Sequence, residues 1–77
     1  AICGCTICGR NMAIIGYRKG ERELLAVYWN DGEYVVEVLD RDVGPANVLH
    51  SVVDGRDIIL SANRETNEVA YYTVNSL

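Results

Sequence analysis

The sequence predicts a mainly β domain, all-β or α+β, built as a small antiparallel sandwich or barrel-like sheet of five to six short strands. Two observations predict this class. Short segments rich in valine, isoleucine and tyrosine recur along the chain, and turn signals containing glycine separate them. The 77 residues, 49% hydrophobic and 23% charged, have the composition of one small globular domain over residues 1–77. A core this small often needs a disulfide, a metal or an oligomer contact as further support.

Three strands in the first half of the chain form a predicted meander. Residues 12–18 (MAIIGYR) are apolar and partly β-branched, and Gly20 follows in a tight loop. Residues 23–29 (ELLAVYW) are apolar on both alternating sets, which is typical of a strand in the middle of a sheet. The sequence NDG at 30–32 is a strong hairpin signal, and residues 33–39 (EYVVEVL) return as the next strand.

Two further strands are predicted in the second half, at 57–62 (DIILSA) and 68–74 (EVAYYTV). The five residues 63–67 between them have an acceptable length for a hairpin loop.

The segment GPANVLHSVVDG (44–55) fits two structures. A short helix over 45–53 would carry its proline in the first turn and its second glycine just past the end, where each is favoured. A strand over 48–53 would instead pair with 57–62 through a two-residue Asp-Gly turn. The three valines have weak helix propensity, so a sixth strand is favoured over a β-β-β-α-β-β arrangement.

All three cysteines lie in a Cys-containing N-terminal arm, residues 1–11. Cys5-Thr-Ile-Cys8 has the form of a zinc knuckle, in which two thiolates converge on one metal and a glycine follows. A structural zinc site needs four ligands, and the chain offers one more cysteine and a single histidine. The sequence therefore allows a site with zinc as the cofactor, although a lone Cys-x-x-Cys is a weak signal. Its ligands would be Cys3, Cys5, Cys8 and His50.

The same cysteines have other interpretations that the sequence leaves open. A Cys5–Cys8 or Cys3–Cys8 disulfide would close a ring so short that it restrains the unfolded chain little. An unpaired third thiol could join a second molecule. All three could instead stay reduced and pack as small apolar side chains in an arm or a first strand.

The residues favour a protein that is not an enzyme. His50 is the only histidine, the residue type best suited to acid–base work at neutral pH, and it lies in an apolar stretch where packing is the commoner role. Ser51 beside it points elsewhere in a strand or a helix, so the two do not form a nucleophile–base pair. Neither a phosphate loop nor a dinucleotide fingerprint is present.

The charge pattern argues against nucleic acid and against membranes as partners. The formal net charge is −4, and the seven basic residues are spread along the chain without a run. No stretch approaches the roughly 20 apolar residues that cross a bilayer. An acidic rim would instead steer the protein to a basic surface on a protein partner. The rim residues are Asp31, Glu33, Glu37 and Asp40.

Aromatic residues give the strongest binding signal. Tyr28 and Trp29 are adjacent in one predicted strand, and Tyr71 and Tyr72 in another, so each pair places one ring on each face of a sheet. Outward aromatic rings often anchor protein interfaces. The candidate binding residues are Trp29, Tyr34, Tyr72 and Tyr28.

We therefore expect a small non-enzymatic protein-binding module of the interaction, inhibitor or effector type, without a cofactor. It would act through an aromatic-bearing β surface or an edge strand, on a protein partner or in a homo-oligomer. The alternative is the small structural zinc domain described above, acting within a larger complex.

Overall fold

The computed structural model describes residues 1–17 and 19–74. Within these ranges the chain forms seven β-strands and no helix, so the predicted mainly β class is confirmed. None of the described residues lies in a helix that could span a membrane. The strands are β1 (Ile2–Ile7), β2 (Arg10–Gly16), β3 (Leu24–Asn30), β4 (Glu33–Asp40), β5 (Pro45–Val53), β6 (Arg56–Asn63) and β7 (Glu68–Val74).

Two antiparallel sheets are stacked as a thin sandwich. One sheet has the strand order β1-β2-β3-β4 and the other β5-β6-β7, so within each sheet the paired strands are consecutive along the chain. The Cα atoms span 34 × 31 × 16 Å, and the shortest dimension is that of two layers. The meander predicted for the first half of the chain is confirmed, with β1 added at its edge.

Segment 45–53 is a strand, β5, and the helical alternative for it is wrong. Asp54 and Gly55 adopt φ values of 52° and 75°, which close a two-residue turn to β6. Both central residues of the favoured two-residue hairpin turn need positive φ, and Asp-Gly meets this need. The β-branched valines then fill an extended strand rather than the crowded turns of a helix.

The structure has one strand more than the five to six predicted, because the segment that holds the cysteines is itself a strand. β1 pairs with β2 from Ile2↔Ile15 to Ile7↔Arg10. The turn between them is Cys8-Gly9, with φ values of 53° and 72°. Cysteine is an unusual residue in this position, so the turn was not evident from the sequence.

The core lies between the two sheets and is filled by every second residue of the strands. Gly16 on β2 is buried against Pro45 at the start of β5, where a Cβ on the glycine would lie 2.5 Å from the proline Cβ. The sheets thus approach closely at this point because Gly16 has no side chain. The buried cluster consists of Ile7, Met12, Ile14, Leu24, Ala26, Tyr28, Val43, Val48 and Ile59.

The connection from β4 to β5 joins the two sheets, and backbone hydrogen bonds hold it on both sides. The amides of Val43 and Gly44 both donate to the carbonyl of Arg22, at 3.1 Å each. The amides of Arg64 and Glu65 donate back to the carbonyls of Gly44 and Val43, also at 3.1 Å. An ion pair of 3.1 Å between Arg22 and Glu65 closes this corner of the molecule.

Candidate functional site

The outward side of the four-stranded sheet is almost wholly apolar, and we call it the aromatic face. The strand register aligns its residues in rows, such as Ile2, Ile15, Leu25 and Val38 across β1 to β4. Within these described strands the face carries no charged side chain. Its members are Ile2, Gly4, Thr6, Asn11, Ala13, Ile15, Leu25, Val27, Trp29, Tyr34, Val36 and Val38.

Two aromatic rings dominate this face. Trp29 on β3 and Tyr34 on β4 are cross-strand partners, and their exposed fractions are 55% and 73%. Their ring centroids lie 4.9 Å apart at an interplanar angle of 81°, an edge-to-face arrangement that aromatic pairs favour. The Asp31-Gly32 turn, with φ values of 49° and 84°, fixes the register that brings the rings together.

Tyr28, the neighbour of Trp29, points into the core and is 6% exposed. Its hydroxyl donates a 2.5 Å hydrogen bond to Oε1 of Glu37, and the guanidinium of Arg10 lies 4.6 Å from its ring centroid. The hydrogen bond to Glu37, and then burial, raise the pKa of Tyr28. These contacts assign Tyr28 to the interior, so only Trp29 of the adjacent pair is presented at the surface.

Tyr72 also faces the interior and is half-buried, whereas Tyr71 beside it is exposed. The Tyr72 hydroxyl donates to Oδ2 of Asp40 at 2.7 Å and accepts from Nδ2 of Asn63 at 3.0 Å. Ser61 extends this network by donating to Oδ1 of Asn63 at 2.5 Å. Burial first, and then the hydrogen bond to Asp40, raise the pKa of Tyr72. This tyrosine therefore ties the two sheets together.

The predicted acidic rim is divided by the fold. Asp31 and Glu33 are exposed at the β3–β4 turn, close in sequence to the aromatic pair. Glu37 and Asp40 point to the inner side instead, where they accept hydrogen bonds from the two interior tyrosines. Two of the four carboxylates, both at the turn, thus remain exposed.

The four residues of the predicted zinc site are not brought to one point. Cys3 and Cys5 face the core from β1, and Cys8 is exposed in the turn that follows. Five residues of extended chain place Cys3 and Cys8 roughly 15 Å apart, whereas two thiolates on one zinc lie about 2.3 Å from it. The three thiols are free, and among residues 1–17 and 19–74 no group of three or more Cys, His, Asp or Glu could hold a metal.

His50 lies on the inner side of β5 and contacts Asp57 on β6, with 2.7 Å between Nε2 and Oδ1. Both side chains are largely covered.

Burial, followed by the charges of Cys3 and Asp57, raises the pKa of the Cys5 thiol. Nucleophilic cysteines are activated by a lowered thiol pKa, and the shift at Cys5 has the opposite direction.

The outward side of the three-stranded sheet is a second, smaller apolar surface. Leu49, Val53, Val69 and Tyr71 are exposed there, and Arg56 stands at its end opposite Val53. Unlike the aromatic face, this surface has one aromatic residue and no aromatic pair in the described strands. It therefore provides matched positions for control substitutions.

Comparisons with models of protein families, with curated proteins and with solved structures found no match for this chain.

Several exposed residues of the aromatic face, notably Val36, Val38 and Ile2, were not among the predicted binding residues. The signal for two of them was present in β4, where the alternating set Tyr34, Val36 and Val38 has no charge. Ile2 was missed because its strand was not assigned. The alternation in β4 therefore marks an apolar outer face even when the aromatic residues are left aside.

Proposed function

We propose that this chain is a non-enzymatic protein-binding module that binds its partner through the aromatic face. The observation that carries the proposal is the exposed edge-to-face pair of Trp29 and Tyr34 on a sheet surface without charged side chains. Scattered exposed apolar residues are ordinary on proteins, but a continuous patch of this kind is typical of an interaction site.

The energetic support comes from the residue types at the patch. Tryptophan and tyrosine are enriched among residues that dominate binding energies, and each buries about 150–250 Å² when covered. Val36 and Val38 continue the apolar surface along β4 from Tyr34. A partner that covers these side chains removes a large apolar area from water without having to neutralise a charge.

The patch is also preformed. Trp29 and Tyr34 lie on paired strands, and their rings already contact one another in the free chain. Side chains that are held in place before binding lose less conformational entropy when a partner covers them. A rigid sheet with fixed aromatic anchors acts by occupancy: it covers a surface of its partner, and no chemical step is required.

Photocrosslinking tests the proposal at two matched positions. A photoreactive phenylalanine analogue replaces Tyr34 in one variant and Tyr71 in the other, since both are exposed strand tyrosines on opposite sheets. Irradiation in cells that make the protein is expected to give an adduct of discrete mass from position 34 and a much weaker one from position 71. Equal adducts from both positions, or none from position 34, would contradict the proposal.

A further inference from the structure

We infer that the partner of the aromatic face is a second copy of this chain, bound face to face about a two-fold axis parallel to the strands. The inference rests on the proposed function and adds the identity of the partner. Three features of the face support it: its charge, its relief and its area.

The charge distribution favours self-association at this surface and disfavours it elsewhere. Each copy carries a net charge of −4, so two copies repel one another over most of their surfaces. The aromatic face carries no charged side chain along its four described strands. Two such faces can therefore meet without burying an unpaired charge. A partner of another kind would be expected to match the acidic protein with basic groups, and this face offers such groups no carboxylate.

The shape of the face is self-complementary, because large and small side chains lie on different parts of it. Its β3–β4 half carries the large rings of Trp29 and Tyr34, whereas its β1–β2 half carries small side chains at Gly4, Thr6 and Ala13. A Cβ placed on Gly4 would have no atom within 4 Å, so the sheet surface is open at this position. The face is therefore raised at Trp29 and Tyr34 and low at Gly4, Thr6 and Ala13, whereas Ile2 and Ile15 stand at the opposite end of the β1–β2 half.

A two-fold axis parallel to the strands places β4 of one copy over β1 of the other. The raised half of each copy then lies on the low half of the other copy, and the same contact is made twice, as in isologous dimers. Thr6 and Asn11 pair across β1 and β2 at the same end of the sheet as Trp29 and Tyr34, so each aromatic pair meets this low end of its partner. Strands of the two sheets stay within about 30° of one another, as in aligned sheet packing.

The area of the face is that of a weak, transient interface. Four strands about 4.8 Å apart and about seven residues long give a face of roughly 450 Å² in plan. Two copies bury about twice this area, and more when the side-chain relief is included, which is near the lower limit of about 1,000–1,200 Å² for specific interfaces. We therefore expect a reversible dimer with a dissociation constant on the order of 10 µM.

Sedimentation velocity of the purified chain tests the inference. We expect the weight-average mass to rise from one copy to two between about 1 and 500 µM, and the dissociation constant to fall as salt is raised, because salt screens repulsion between like-charged copies. A mass of one copy throughout this range would overturn the inference.

Three variants locate the interface. Trp29→Glu places a charge in the raised half and Gly4→Glu places one in the low half, where the free chain has room for it. Each is expected to weaken the dimer by about 30-fold or more. Tyr71→Glu on the other sheet is the control, with no expected change. Circular dichroism and a cooperative melting curve establish that the variants are folded.

The variants also separate this inference from its competitors. A dimer that survives both Trp29→Glu and Gly4→Glu, or that is lost with Tyr71→Glu, would overturn the face-to-face arrangement. The photocrosslinking adduct at position 34 distinguishes the remaining outcomes. An adduct of twice the chain mass, joined to β1 or β2 of the other copy, is expected. An adduct of any other mass would be consistent with the proposed function but would overturn the inference that the partner is a second copy of this chain. The absence of an adduct at position 34 would contradict the proposed function itself.

Discussion

The hydroxyl of Tyr72 on β7 donates a 2.7 Å hydrogen bond to Oδ2 of Asp40 at the end of β4. This bond links the two sheets, which share no strand pairing. Asn63 donates to the same hydroxyl at 3.0 Å, so one phenol connects groups from three strands. The ring that the sequence offered as a binding anchor thus serves to join the layers.

Replacement of Tyr72 by phenylalanine is predicted to destabilise the fold. The variant keeps the ring but leaves Asp40 and Asn63 without their shared partner, and an unsatisfied, partly buried polar group costs about 1–3 kcal/mol. The free energy of unfolding in urea measures the loss. Tyr71→Phe, one residue away and exposed, is the control and is expected to change stability by less than about 0.5 kcal/mol. Equal effects of the two substitutions would contradict the assigned role.

Stability is predicted to decrease at alkaline pH. The pKa of Tyr72 is raised above its ordinary value of 10.0 by burial and by its bond to Asp40, and that of Tyr28 is raised by its bond to Glu37 and by burial. The folded state therefore holds these protons more tightly than the unfolded state. Their contribution is fully present below pH 10 and is lost as pH rises towards the folded pKa values.

Urea unfolding at intervals from about pH 8 to pH 11 measures this dependence. Tyr72→Phe is expected to reduce the fall in stability above pH 10, and Tyr71→Phe is expected to leave it unchanged. A wild-type stability that rises through this range would show that the tyrosine pKa values are shifted in the opposite direction.

Gly16→Ala is predicted to strain the contact between the sheets. The new methyl group would lie 2.5 Å from the Cβ of Pro45, so the sheets must move apart locally, at a cost of about 1–3 kcal/mol. Gly4→Ala is the matched control, because its added Cβ meets no atom within 4 Å and alanine suits a strand better than glycine. Urea midpoints of the two variants are expected to move in opposite directions, and equal midpoints would contradict the close approach.

The three thiols are predicted to react at different rates. Cys8 is exposed in a turn, whereas Cys5 faces the core and its pKa is raised by burial and by nearby Cys3 and Asp57. Thiolates are the reactive species, so Cys8 is expected to be alkylated by iodoacetamide well before Cys5. Peptide mass spectrometry at successive times gives the order. The rates should become similar in urea, and equal rates in the folded protein would conflict with an inward-facing Cys5.

Most of the strand order could be predicted from the sequence, because the turns carry their own signals. Asp31-Gly32 and Asp54-Gly55 each take positive φ at both residues, and Asp-Gly is among the pairs that tolerate this. Cys8-Gly9 adopts the same geometry with a residue that seldom marks it, so the sequence left the first segment open as an arm or a strand. Local turn chemistry thus explains both the correct assignments and the missing one.

The direction of the aromatic rings could be predicted only in part. Alternation along a strand places Tyr28 and Trp29 on opposite faces, but both alternating sets of β3 are apolar, so the sequence does not show which set faces the core. The choice is made by the second sheet, which covers one side only. Tyr72 also points towards the side that the other sheet covers. Its hydrogen-bond partner there, Asp40, is 32 positions away along the chain, so local sequence does not indicate the contact.

The strand order has a consequence for how the chain reaches this structure. Each ladder of hydrogen bonds joins segments that are consecutive in sequence, so each hairpin can close on its own, on a scale of about 1–10 µs. Only the docking of one finished sheet on the other requires distant parts of the chain to meet. The slow step of folding should therefore be sensitive to residues at that junction, such as Gly16 and Pro45, and insensitive to the individual turns.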